Sequence, residues 1–187
     1  MVREREGGLS PAQPRGADMR VYVPGTSRLL RELIDSEELP ASPVQPMVAF
    51  AVTPGLREYY ADDPDEEALE YAAFTEAARA SLRLIDADES SWRRRVVISI
   101  DVDQACVEIK DDLDHGVVRL GQSVSLASVA SVHVDDVEAE DVVAAAAAGS
   151  LAAELGDDSA QDAVDDAEGF ELSWYAAQEI GPLLDLA

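Results

Sequence analysis

Apolar and polar positions alternate between two periods along the chain, and the switches between them predict the elements. Arg20-Val21-Tyr22-Val23 is a short β-rich run, Pro24-Gly25-Thr26-Ser27 is a turn, and Leu29, Leu30, Leu33 and Ile34 then recur at helical spacing. Prolines at 40, 43 and 46 forbid a helix and predict a stiff extended crossover. Met47 to Val52 reads as a buried strand, and Thr53-Pro54 as the cap and first-turn proline of a short helix through Leu56, Tyr59 and Tyr60.

After the acidic turn Asp62-Asp63-Pro64-Asp65, a long helix is predicted from about Glu66 to Ile85, with Tyr71, Phe74, Ala78, Leu82 and Ile85 as its core stripe. Arg95 to Val102 is a strand with a continuous apolar middle. Ala105–Ile109 and Val117–Leu120 read as a hairpin pair, and Ser131–Val134 as a last short strand. Asp135-Asp136 is placed to cap a helix from Val137 to Ala148 that Gly149 ends or interrupts. Residues 156–169 read as a polar connector, and Phe170 to Ile180 as a final helix stopped by Gly181-Pro182. The alternation predicts an α/β fold: a single layered domain with a mixed sheet of about six strands flanked by helices, spanning 19–187. Residues 1–18, with cancelling charges and no periodic apolar face, are expected to be a disordered leader.

Composition changes the picture in one respect, its charge. The 187 residues carry 39 Asp and Glu against 14 Lys and Arg, a formal charge of −25. Such a field repels phosphate backbones and anionic lipid, so nucleic acid and membrane partners are not expected, whereas a cationic protein partner is. After Arg119 no basic residue follows, while fifteen acidic ones run from Asp135 to Asp185, making the C-terminal third an acidic pole. A lone cysteine, Cys106, excludes an internal disulfide, and no apolar stretch is long enough to span a bilayer or act as a secretion signal. The expected setting is the cytoplasm, as a monomer or homodimer.

Candidate chemistry is sparse. Gly25, Thr26 and Ser27 form a strand-to-helix turn whose free N–H groups and hydroxyls suit an anion, and Thr53 holds the same place in the second turn. Were both turns at one sheet edge, they would share a ligand crevice. The ordinary alternative is that these hydroxyls cap helices, since neither a G-x-G-x-x-G run nor a P-loop lysine is present. His133 and Asp135 share a strand face, and a strand-end histidine beside a capping aspartate is commoner than an acid/base pair. Residues 157–168 fail as a calcium loop because Asp162 stands where glycine is required. Trp92-Arg93-Arg94-Arg95, the one basic cluster, is expected to pair with nearby acids, and Cys106 to be a small buried residue. No catalytic or metal arrangement follows from spacing, and no cofactor is implied. The segment from Phe170 to Ile180 is apolar around most of a helix, so Glu171, Trp174, Tyr175, Gln178 and Glu179 become the candidate partner-binding residues.

Met19-Arg20-Val21-Tyr22-Val23-Pro24, Phe50-Ala51-Val52-Thr53-Pro54, Val132-His133-Val134-Asp135-Asp136 and Trp174-Tyr175-Ala176-Ala177-Gln178-Glu179-Ile180 occur in that order. In these motifs the chain resembles a family of short acidic actinobacterial proteins classed as a domain of unknown function. The resemblance covers about residues 19–184, implies Met19 as the start of the folded part, and implies no activity, cofactor or catalytic residue. The expectation that stands is a non-enzymatic interaction domain using its acidic pole, with a small-molecule site at the strand-to-helix turns as the alternative.

Overall fold

The run Asp18–Gly25 forms β1, and its neighbours on both sides are antiparallel to it. The computed structural model describes residues 17–60, 65–110 and 112–186; most of the expected leader and most of the acidic turn lie outside them. In chain order the further strands are β2 (Glu38–Leu39), β3 (Met47–Ala51), β4 (Val96–Asp103), β5 (Val107–Ile109), β6 (Val117–Leu120), β7 (Val124–Ser125), β8 (Val129–Val134) and β9 (Ser173–Tyr175). The helices are α1 (Ser27–Ser36), α2 (Pro54–Tyr59), α3 (Glu66–Asp86), α4 (Glu140–Glu154), α5 (Asp158–Glu168) and α6 (Ile180–Asp185).

Seven strands form one sheet in the order β5-β6-β3-β1-β4-β8-β9, and β2 pairs with β7 separately. The fold is mixed α/β as expected, but the sheet has seven strands and every pairing is antiparallel. Pattern alone cannot fix strand direction, because a helix between two strands permits either a parallel crossover or, as here between β1 and β3, an antiparallel return.

Val21, Val23, Val96, Ile98 and Ile100 project from one sheet face into a core closed by Leu30 and Leu33 of α1 and by Ile180 and Leu184 of α6. Each fully buried aliphatic side chain there contributes about 1.5–3 kcal/mol. On the other face Leu69, Ala73, Ala77 and Ala78 of α3 meet Tyr22, Phe50, Val97 and Val117. The Ser81 hydroxyl pins the helix, donating to the Gly25 carbonyl (2.8 Å) and accepting from the Val96 N–H (3.1 Å). A third cluster joins α3 to α4 and α5 through Leu82, Ile85, Val143, Ala146, Val164 and Ala167.

Three expected elements are corrected. Residues 156–169 are not a connector: Gly156 (φ 90°) takes the left-handed conformation that ends α4, the Asp157 carboxylate caps α5, and Val164 and Ala167 are buried. The helix after Asp136 runs past Gly149 to Glu154. Phe170 to Ile180 is not a helix either; it holds the edge strand β9, a 3-10 turn at Ala177–Glu179 and the start of α6, with Gly181-Pro182 inside its first turn. Proline fits there because the first helical N–H groups have no internal acceptor. Tyr71 is 66% exposed and belongs to no core, and Cys106 is half-buried in the 3-10 turn preceding β5.

Gly149 lies where α4 and α5 approach closely. A Cβ there would meet the Ala160 Cβ at 3.3 Å. Gly149→Val is therefore expected to cost about 1–3 kcal/mol by overpacking, seen as a lower urea midpoint. An unchanged midpoint would mean that the two helices part without penalty.

Candidate functional site: an aromatic, acid-rimmed cleft

Strand register builds this site. Along one row of the α3-covered face the paired residues run Val117, Phe50, Tyr22, Ser99, Ser131 from β6 to β8. The large members lie beneath the helices, and beyond Tyr22 the row falls to two serines. Next to it Val97, His133 and Trp174 pair across β4, β8 and β9. A register shift at Ser99/Ile100 bulges the sheet beside this floor. Small hydroxyl side chains where a core would place valine leave a cleft of about 650 Å³. Its floor includes Tyr22, Ser99, Ser131 and His133; α3 supplies Glu67, Glu70, Tyr71, Phe74 and Thr75 as one wall, and Phe170, Glu171, Leu172 and Trp174 form the other.

The second wall is held by three ties. Arg95 and Asp135, each 2% exposed, form a bidentate pair at 2.7 and 2.8 Å, and Asp135 also accepts the Arg95 backbone N–H. The same guanidinium donates to the Phe170 carbonyl (2.8 Å). The Ser173 hydroxyl donates to the Asp136 carboxylate, and Glu168 at the end of α5 accepts from Arg79 of α3. Asp135 and Asp136 thus fix the wall and cap nothing with their side chains, contrary to expectation. Two of the three arginines of the basic cluster pair with acids as anticipated: Arg94 binds Glu140 and lies over the Trp92 ring, and Arg95 binds Asp135, whereas Arg93 donates to the Ile85 carbonyl.

Ring faces dominate the opening. Phe74 meets Tyr22 edge-on (5.8 Å), His133 edge-on (4.8 Å) and Tyr71 with rings nearly parallel (6.5 Å), while Trp174 is 60% exposed opposite them. The cationic lining residues are neutralised: Arg20 by Asp101 (2.6 and 3.0 Å) and Arg95 by Asp135. Glu168 is matched by Arg79. Glu67, Glu70 and Glu171 form no salt bridge among the described residues, and the Arg20 charge that reaches Glu70 is already paired with Asp101, so the lining carries a surplus of negative charge. Burial, then the Glu70 charge, pushes the Tyr22 phenol up to about 12.

On the floor, His133 Nε2 and Ser131 Oγ are 3.1 Å apart. Ser99 Oγ is buried with no hydrogen-bond partner, an arrangement that costs about 1–3 kcal/mol. Burial, and secondarily the Arg20 charge, hold His133 below its ordinary 6.5. The unfolded chain therefore binds this proton more tightly, and the stability contributed by neutral His133 is lost as pH falls from about 6.5 through the folded value. An NMR titration of the His133 ring protons is expected to give a midpoint under 6.5; one at or above it would contradict the half-buried, Arg20-facing placement.

The turn residues are not brought together. Because β1 and β3 are antiparallel, Thr26-Ser27 and Thr53 lie at opposite sheet ends, and the shared crevice does not form. Their hydroxyls are occupied: Thr26 caps α1, Thr53 caps α2 and donates to the His115 carbonyl, and Ser27 accepts the Trp92 N–H. The Gly25 carbonyl is taken by Ser81. Of the C-terminal candidates, Glu171 and Trp174 line the cleft. Tyr175 packs against the core on the opposite face, Gln178 is exposed, and Glu179 accepts the Ala176 N–H (2.7 Å). Sequence reasoning missed Ser99, Ser131, Tyr71 and Phe74 as site residues. The available signal was the pair of serines inside otherwise aliphatic strands.

Residues 157–168 form a capped helix and cannot wrap a cation as a loop would. Among the described residues no helix is long and apolar enough to cross a membrane. Residues 19–184 match a family of unknown function, DUF6912, the extent expected from the motifs. No curated protein and no solved structure gives a significant match.

Proposed function

The chain belongs to DUF6912, whose description carries no activity, and we propose that it is a non-enzymatic interaction module that receives an arginine side chain of a cationic partner protein in the cleft. The observation that supports this is the combination of Tyr71, Phe74 and Trp174 ring faces with three carboxylates, Glu67, Glu70 and Glu171, none of which forms a salt bridge among the described residues. A guanidinium stacks on aromatic faces and is drawn by unpaired carboxylates, and in such a setting each cation–π contact is worth about 0.5–2 kcal/mol. Anions and phosphate-bearing ligands are disfavoured by the same carboxylates and by the net charge of −25. A cytoplasmic setting, which suits the lone Cys106, belongs to the same reading.

Part of the acidic pole is engaged elsewhere. Asp135, Glu140, Glu154 and Glu168 pair with arginines, and Asp157 and Glu179 cap backbone N–H groups. The ring faces of the cleft direct the partner to Glu171 and its neighbours on α3, not to the pole as a whole. Calorimetric titration with N-acetyl-arginine amide and with the isosteric but neutral N-acetyl-citrulline amide tests the proposal. The arginine probe is expected to bind with Kd on the order of 1 mM, as about 4 kcal/mol of contact allows, and to weaken with salt. Equal binding of the citrulline probe would refute it.

A further inference from the structure

Ser99 is only 1% exposed, lines the cleft, and carries an Oγ that no protein group partners. Its cross-strand neighbour Ser131 differs, being engaged with His133. Resting on the cation reading above, we propose that Ser99 Oγ accepts a hydrogen bond from the bound cation, so that the site selects N–H-bearing heads, guanidinium foremost, over quaternary ammonium.

Aromatic walls and carboxylates attract either kind of cation, since both act through charge. The floor separates them. A tetramethylammonium group offers only methyls, would seal the cleft over Ser99, and would leave its hydroxyl unmatched. A guanidinium is flat, stacks between Phe74 and Trp174, and presents five N–H donors of which one suffices for the Ser99 lone pairs. The neighbouring groups Arg20, Arg95 and Ser131 are committed to Asp101, to Asp135 and the Phe170 carbonyl, and to His133. Of the two floor serines, Ser99 is thus the one left for a ligand.

The test compares methylguanidinium with tetramethylammonium on the wild-type chain and on Ser99→Ala, each by NMR titration. The wild type is expected to prefer methylguanidinium by fivefold or more. In S99A that preference falls to twofold or less while tetramethylammonium affinity is unchanged. The variant should unfold at the same urea concentration as wild type or higher, because the deleted hydroxyl has no partner to lose. Equal wild-type binding of both probes, or a preference that survives S99A, overturns the Ser99 inference and leaves the cation site standing. Failure of both probes to bind the wild type overturns the cation site and this inference with it.

Discussion

Asp135→Ala lowers the free energy of unfolding by about 3–5 kcal/mol, the range for removing one partner of a buried ion pair. The Arg95 side chain is 3% exposed and that of Asp135 is fully buried, so deleting the carboxylate leaves a buried guanidinium charge with only the Phe170 carbonyl as partner. Three hydrogen bonds vanish together, two from the guanidinium and one from the Arg95 N–H. The Arg95 contact with the Phe170 carbonyl loses its anchor too, so the cleft wall loosens with the core. Urea unfolding of D135A beside Glu140→Ala makes the comparison. Glu140 pairs with Arg94, but its side chain is 40% exposed, and its loss is expected to cost no more than about 1 kcal/mol. Equal effects in the two variants would mean that Arg95 readily finds water.

The triple variant Glu67→Gln, Glu70→Gln, Glu171→Gln weakens N-acetyl-arginine amide binding roughly 3- to 100-fold while leaving the fold intact. Exposed charge pairs are individually worth about 0.2–1 kcal/mol, and three acting on one guanidinium sum to about 0.6–3; every 1.4 kcal/mol is about tenfold. None of the three forms a salt bridge among the described residues, so glutamine removes charge without orphaning a basic group. In a chain of net charge −25 the change also relieves self-repulsion. Calorimetry at low and high salt reads the result. The residual affinity of the variant should show little salt dependence, and an affinity equal to wild type would mean that the carboxylates do not face the ligand.

Periodicity located most elements because burial follows it. The strands near Val21, Val48, Ile98 and Val132 and the helices around Leu33, Leu56 and Leu82 lie where apolar spacing put them. It failed where side chains are small or the period is ambiguous. Helix α5 buries Val164 and Ala167 behind a mostly acidic surface, which reads as a solvated loop until the Asp157 cap is weighed. Phe170, Leu172 and Trp174 alternate with period two and were open to a strand assignment, but the alanines after them favoured a helix. That error hid the site, since the strand pairing of Trp174 with His133 is what brings the C-terminal segment against α3. Glu171 and Trp174, singled out in the sequence for their charge and aromatic character, line the cleft. Ser99 and Ser131 became meaningful only through register, because their opposition across β4 and β8 is a property of strand pairing that no single segment contains.

The central claim is that an arginine side chain enters the cleft between α3 and the Phe170–Trp174 wall. Its most direct test is an amide and indole chemical-shift map of the 15N-labelled chain titrated with N-acetyl-arginine amide. The predicted result is a saturable set of shifts at the Trp174 indole, the first turns of α3, Ser99 and His133, with Thr26 and Thr53 unmoved. Shifts scattered over the acidic helices α4 and α5, or none at the cleft, would contradict it.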